Sequence, residues 1–395
     1  MSKLSVNNSL CDRCGKCAQS CPFSAVEINE KGIDFNAACK LCKICVKTCP
    51  KGAIRFEETV KKNVNKDMWK GVMVYVEHNC GDIHPVTIEL VGKAKELAQK
   101  LHQPVYCVFI GGNEKSAKEL LQYGCDTVYI YDHPELKHFR SDIYADVFED
   151  CIKEVKPSIV LVGGTSVGRS LAPKLSTRFR TGLTADCTFL DVRENTDLIQ
   201  VRPAFGGNIM AQIITPNTRP QFATVRYKVM DKAEKTDGSS GKIVMMDIPH
   251  GVQSKIQVVN VIKKETQPSI CDADIIVAGG RGLKSKNDIA MLEQLAERLG
   301  GQTAFSRPLV EAGWANYTKQ IGLSGRTVKP QLIITCGISG AIQFATCMKS
   351  SACIVAINKD KNAPIFKIAH YGIVGDIYEI VPAMLDKLNN GEAVL

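Results

Sequence analysis

The sequence predicts an α/β protein: two parallel-sheet α/β domains preceded by a small α+β module. Three observations predict it. Cysteines crowd the N-terminal region, glycine-terminated apolar strands alternate with helical spacing from residue 71, and the alternation restarts near residue 265. The expected organisation is a module at 1–58, a linker at 59–70, and domains at 71–264 and 265–395.

Composition narrows the class. The chain has 395 residues, 45% apolar and 23% charged, which is ordinary globular usage. No run approaches the roughly 18 consecutive apolar residues of a membrane span, and no apolar signal core precedes Cys11. The net charge of +9 comes without a basic block of the kind that binds nucleic acid. Lys61-Lys62 and Lys263-Lys264 read as solvated linker charge. Seventeen cysteines, an odd number in a long chain, argue against a secreted disulfide scaffold. They call for a reducing, cytoplasmic setting.

The first module is a duplication. Cys11-Asp-Arg-Cys-Gly-Lys-Cys-Ala-Gln-Ser-Cys-Pro22 is repeated as Cys39-Lys-Leu-Cys-Lys-Ile-Cys-Val-Lys-Thr-Cys-Pro50. Between them, Asn29-Glu-Lys-Gly32 reads as a hairpin turn joining Val26-Glu-Ile to Ile33-Asp-Phe. This C-x2-C-x2-C-x3-C-P spacing is that of bacterial two-cluster ferredoxins, where the fourth cysteine of each run ligates the other cluster. Cys11, Cys14, Cys17 and Cys49 are thus expected on one 4Fe–4S cluster, and Cys39, Cys42, Cys45 and Cys21 on the second. Structural zinc favours two ligand pairs across a longer gap. The other nine cysteines, Cys80 to Cys353, show no repeated spacing and read as small buried hydrophobes.

From residue 71 the elements follow in order. Gly71-Val-Met-Val-Tyr-Val, Val105 to Ile110, Thr127 to Tyr131 and Ser158 to Gly164 read as strands. Pro85–Leu101 and Ile143–Val155 carry helical apolar spacing. Residues 187–230 look strand-rich, and 231–242 read as a turn or loop. In the last domain, Asp274 to Gly280, Gln331 to Gly337 and Ala352 to Asn358 read as strands, and Asn287–Leu299 as a helix. Ile377–Leu388 is helical in pattern, with Pro382 taken as its true first turn.

Two glycine loops carry the chemistry of that domain. Gly279-Gly-Arg-Gly-Leu283 and Gly337-Ile-Ser-Gly-Ala-Ile-Gln343 each follow a strand. Small residues there let backbone N–H groups approach a pyrophosphate. Neither is the G-x-G-x-x-G of a nicotinamide site. Gly163-Gly-Thr-Ser-Val-Gly168 is a third glycine-rich loop, read as structural, and the histidines show no metal-ligand spacing.

Gly279 to Lys284, Ser306-Arg307, Gly337 to Gln343, Val355 to Asp360, Ala363 to Phe366 and Tyr371 to Asp376 together resemble the C-terminal half of electron-transfer flavoprotein alpha subunits. Gly168 to Pro173 and Arg202-Pro-Ala-Phe-Gly-Gly-Asn208 resemble the same family's first domain. The resemblance implies an FAD-binding, Rossmann-like domain at 265–395. In it Arg281 contacts phosphate or adenosine, Ser306 and Arg307 lie beside the isoalloxazine, and Gln320, Ile321, Gly322, Leu323 and Ser324 run along the flavin. Ser339, Gly340, Ala341, Ile342, Gln343 and Phe344 cradle the pyrophosphate and pyrimidine edge, and Asn358 and Asp376 hold the adenosine end. Phe344 stands where the family often has His, and Leu323 where a polar residue is common. A guanidinium at Arg307 favours reduced, anionic flavin.

The N-terminal module is similar to that of alpha subunits from anaerobes that couple flavoprotein to ferredoxin. The implied cofactors are one FAD and two 4Fe–4S clusters, with no substrate site on this chain. The implied partners are a beta subunit, an acyl-CoA dehydrogenase-type reductase and ferredoxin, with electron bifurcation as the expected mode. A simple carrier between a dehydrogenase and a quinone reductase is the alternative, and a zinc-dependent assembly module is the non-redox one.

Overall fold

The computed structural model describes residues 3–29, 32–57, 64–236, 241–262 and 268–391. The chain forms two compact units, Met1–Asn63 and Val64–Leu395. Lys61-Lys62, Lys263-Lys264 and the tip of the Asn29–Gly32 turn lie outside the described residues.

The first unit keeps the duplication visible in three dimensions. Lys3–Val6 pairs antiparallel with Ile54–Glu57, and Val26–Asn29 pairs antiparallel with Gly32–Phe35. Each cysteine run holds one short helix, Lys16–Gln19 or Ile44–Thr48. Both helices are entered through a left-handed residue, Gly15 at φ 75° and Lys43 at φ 63°. Its core is Cys17, Ile33, Cys45 and Ile54, with Ala25 and Ala53 buried at matching positions of the repeat. So few apolar side chains make a weak core, and a unit of this size usually needs covalent or metal cross-links.

The second unit begins with a sheet of seven parallel strands. Their spatial order is Leu183–Cys187, Gln221–Val225, Ile159–Gly163, Val72–Tyr75, Val105–Ile110, Thr127–Tyr131 and Lys242–Met245. The central strands are apolar on both faces because helices cover both. Helix Pro85–Leu101 starts with proline at its first turn, His84 Nδ1 accepting from the Val86 N–H at 3.1 Å, and buries Leu90, Val91, Ala94 and Leu97. The expected strand-rich stretch contains a separate antiparallel sheet, Phe189–Val192, Leu198–Ala204 and Ile209–Ile213.

Residues 64–70 are anchored to this half. Lys66 Nζ lies 2.7 Å from Asp197, which Arg219 also holds at 2.9 Å; Arg219 and Asp197 are both buried. Leaving either charge unpaired there is costly.

The last domain is a sheet of six parallel strands, ordered Gln320–Ile321, Gln302–Ser306, Ile275–Gly279, Leu332–Cys336, Cys353–Asn358 and Tyr371–Val374. The chain runs outward from Ile275–Gly279 in one direction, then restarts at Leu332–Cys336 in the other. The crevice beyond the carboxyl ends of those two strands is the topological switch point, where open α/β sheets bind ligands. Both glycine loops leave the sheet there.

Three expectations are corrected. The C-terminal helix runs Ile377–Asn389 straight through Pro382. Asp376 caps it by accepting from the Tyr378 N–H at 3.1 Å, so Pro382 sits in the second turn and not the first. The 231–242 loop ends in an edge strand, Lys242–Met245, paired with Thr127–Ile130. Of the nine scattered cysteines seven are buried, but Cys353 is half-buried and Cys80 is exposed at the tip of the His78–Ile83 hairpin, at φ 51°.

Candidate functional site

In the first unit the fourth cysteine of each run has an equivalent environment. The Ala25 N–H donates to Cys21 Sγ at 3.4 Å, and the Ala53 N–H donates to Cys49 Sγ at 3.3 Å. Cys21, Cys39, Cys42 and Cys45 line one small cavity. On the other side, Cys11 and Cys49 neighbour the buried Cys17 thiol. Cys14 is exposed at the rim. Cys21 thus neighbours the second run and Cys49 the first, although among the described residues no three of these side chains lie close enough together to hold a metal ion. An all-thiolate donor set with N–H···S bonds suits iron–sulfur ligation.

The second unit carries a cavity of about 770 Å³ at the switch point of the six-stranded sheet. That size takes a dinucleotide-scale ligand. Its glycine loops interlock. The Gly282 N–H donates to the Gly337 carbonyl at 3.0 Å, and a Cβ at Gly282 would stand 2.6 Å from Gly337 Cα. Gly337 adopts φ 62°, where a side chain is strained. The cradle is therefore a backbone surface. Neither loop feeds directly into a long helix: Ile289–Arg298 starts after a 3-10 turn, and Ile342–Ala345 is a single turn.

The cavity gathers Arg281, Ser306, Arg307, Ile321, Gly322, Leu323, Ser324, Ser339, Ala341, Gln343, Phe344, Asn358 and Asp376. Gln320, Gly340 and Ile342 are not on its wall. Gln320 is buried behind it, and its Nε2 donates to Ser324 Oγ at 3.0 Å. Gly340 packs on the next turn, where a Cβ would meet Ile365 N at 2.3 Å. Ile342 is exposed, on the side of Gly207.

The wall has two chemical ends. At one, Arg307 starts a short helix and pairs with Glu311 at 2.7 Å; its side chain is 62% exposed. An exposed i,i+4 pair is weak, so the guanidinium is free to exchange partners. Phe344 and Leu323 belong to the apolar core below. At the other end, Asn358 Nδ2 donates to the Ile338 carbonyl at 2.9 Å, and Asp376 pairs with Lys359 at 2.6 Å. The hydrogen bonds from Lys359 and the Tyr378 N–H hold the Asp376 carboxyl below its ordinary range.

Among the contributors that sequence reasoning missed, two stand out. Lys359 lay within a quoted motif but was given no role. Gly206 comes from the Phe205–Gly207 turn of the preceding domain and also lines the cavity. The Gly163–Gly168 loop turns out to be internal: Thr165 Oγ1 caps its helix by accepting from the Gly168 N–H and donates to Glu77 at 2.5 Å. His370 is exposed and accepts from the Ile354 N–H, away from the cavity wall.

Three known domain families match parts of the chain. Residues 72–250 match the electron transfer flavoprotein domain, 269–349 the electron transfer flavoprotein FAD-binding domain, and 10–68 the 4Fe-4S dicluster domain. The electron transfer flavoprotein subunit alpha of Thermoanaerobacterium thermosaccharolyticum is 43% identical over 82% of this chain and 98% of its own length. The chain belongs to the electron transfer flavoprotein alpha subunits.

This alpha subunit is an electron-transfer protein with a 4Fe-4S domain ahead of its flavoprotein domains. A relative matched over 95% of the chain, a span that takes in the iron–sulfur unit, is the lactate dehydrogenase (NAD(+),ferredoxin) subunit LctC of Acetobacterium woodii, 54% identical over 90% of its own length. The acryloyl-CoA reductase electron transfer subunit beta of Anaerotignum propionicum is 37% identical over 84% of the chain and 97% of its own length. Among the described residues, no helix of this alpha subunit is long and apolar enough to cross a membrane.

Proposed function

We propose that this alpha subunit holds one FAD in the switch-point cavity and two 4Fe–4S clusters on crossed cysteine sets, and serves a bifurcating complex. The observation that carries the flavin assignment is the convergence of both glycine loops, Arg307 and Ser324 on one cavity. When bound, FAD supplies one- and two-electron redox chemistry. The chain's own residues bind and tune it. The loop carrying Ser339, Ala341 and Gln343 receives the pyrophosphate, Lys359 and Arg281 offer positive charge to the phosphates, Asn358 and Asp376 take the adenosine end, and Ser324 and Arg307 face the flavin ring.

In this reading a beta subunit with a second flavin oxidises NADH. Each NADH yields two electrons: one passes to ferredoxin, and the other to an acyl-CoA dehydrogenase-type partner. Two NADH therefore reduce one two-electron acceptor and two ferredoxin equivalents. The test is the anaerobically purified complex with NADH and ferredoxin, with and without the high-potential acceptor. Ferredoxin reduction that requires the acceptor supports bifurcation; equal reduction without it overturns it. Two FAD per heterodimer belong with bifurcation, and one FAD with AMP belongs with a simple carrier.

A second reading concerns the partner. The relative whose match takes in the iron–sulfur unit is named for lactate, NAD(+) and ferredoxin. A 2-hydroxy-acid dehydrogenase is the partner class this favours. NAD+ reduction by the purified complex that requires both lactate and reduced ferredoxin, and is absent when an acyl-CoA replaces lactate, would support it.

A further inference from the structure

The flavin-facing loop Ile321–Ser324 is held by a residue from the other α/β domain. Arg226 follows strand Gln221–Val225 of the seven-stranded sheet. One of its terminal nitrogens donates to the Leu323 carbonyl at 3.1 Å, and the other lies 3.8 Å from Cys347 Sγ. Leu323 is next to Ser324 in sequence, and both line the cavity. The Leu323 N–H in turn donates to the Gln343 carbonyl at 3.0 Å, so both backbone polar groups of Leu323 are held, one on each of the two peptides that flank it. Gly207, from the same domain as Arg226, packs against Leu323, where a Cβ would stand 3.3 Å from Cδ1.

The guanidinium is incompletely compensated. Asp186 is its acidic partner, at 3.5 Å, but the same carboxylate sits 2.7 Å from Arg169. Arg226 Nε is buried without a hydrogen-bond partner among the described residues. A partly buried, under-neutralised cation favours any negative charge developing nearby, and its field is screened less there than in open water.

We propose that Arg226 is a positioning residue for the FAD: it fixes the Leu323 carbonyl, thereby setting Ser324, and its surplus positive charge favours the reduced flavin. This rests on the reading that the cavity holds the FAD. Arg226 acts through the loop and its charge, with no contact to the ring required. Its bidentate geometry matters separately from its charge, because lysine is a point charge on a flexible stem.

The experiment is a spectroelectrochemical titration and an FAD-release measurement on the flavin-loaded protein with its partner subunit. Arg226→Met is expected to lower the flavin midpoint potential and to speed FAD release about tenfold, which corresponds to about 1.4 kcal/mol. Arg226→Lys is expected to restore most of the potential but not the release rate. Asp186→Asn removes the partial counter-charge, so it is expected to raise the potential, and it keeps the proposal testable if Arg226→Met fails to fold. Potentials equal to wild type in both Arg226→Lys and Asp186→Asn, together with unchanged release in Arg226→Lys, would overturn the proposal. Ala341→Trp, a bulky change on the cavity wall, separates the two readings: its FAD loss with normal Arg226 variants sinks only the Arg226 role, whereas full FAD retention sinks the cavity assignment itself.

Discussion

Gln320 reaches from behind the cavity wall to donate to the Ser324 hydroxyl at 3.0 Å, from a position only 3% exposed. The bond occupies one acceptor site of Ser324 and leaves its own O–H for a partner in the cavity. Gln320→Ala frees that rotor without touching the wall. A neutral hydrogen bond is worth about 1 kcal/mol, so FAD affinity is expected to fall about fivefold with the fold intact. Fluorescence titration of apoprotein with FAD measures it. A variant that binds FAD as tightly as wild type would show that the Gln320–Ser324 bond has no bearing on the flavin.

Arg307 tests the other wall. It is exposed and, among the described residues, paired with Glu311 alone, one turn away. Arg307→Ala is therefore expected to change stability by less than about 0.5 kcal/mol. The flavin midpoint potential should nevertheless drop, since a cation facing the ring favours its reduced, anionic forms. The paired readouts are the thermal midpoint and a redox titration. An unmoved potential would assign Arg307 to the surface alone.

The sequence made some of this legible because certain constraints are local. Cluster ligation demands fixed cysteine spacing within one turn of chain, and a pyrophosphate cradle demands glycine at fixed points after a strand. Both survive as strings of letters. Gln320 was read as a ring-side residue because motif position does not tell whether a side chain faces in or back. Gly206 and Arg226 were given no site role because the tertiary fold brings them to the cavity from another domain. Pro382 was misjudged for a related reason. A local rule places proline in the first turn, whereas packing of Ile377, Val381 and Met384 into the core carries the helix through it.

The pH dependence of stability is set in part by Glu89. Burial pushes its carboxyl up to about 7, only partly offset by the Lys228 N–H at 2.9 Å and by the neighbouring Lys228, Lys232 and Lys329 charges. Unfolded, the group titrates near its ordinary value of 4.5. Between those values the native state binds more protons than the unfolded one, so stability falls as pH rises and levels off above about 7. The total is at most about 3 kcal/mol. Glu89→Gln keeps the acceptor for Lys228 and removes the titration. Compared with wild type, it should be more stable at pH 8 and similar near pH 4.5, as read by anaerobic urea unfolding. Parallel curves for the two proteins across that range would refute the role of Glu89.

The crossed cluster ligation makes a combinatorial prediction. Cys21 shares a cavity with Cys39, Cys42 and Cys45, while Cys49 lies beside Cys17 and Cys11. Two cubanes give about eight iron atoms per chain, and loss of one leaves about four. Cys21→Ala removes a ligand from the cluster of the second run, although Cys21 belongs to the first. Adding Cys42→Ala should therefore cost no further iron, because both changes strike the same cluster. Adding Cys14→Ala instead should empty the module, because the two changes strike different clusters. Uncrossed ligation reverses the two outcomes. Iron and sulfide analysis after anaerobic purification reads them directly. FAD content serves as the internal control, since the cavity lies in the separate second unit.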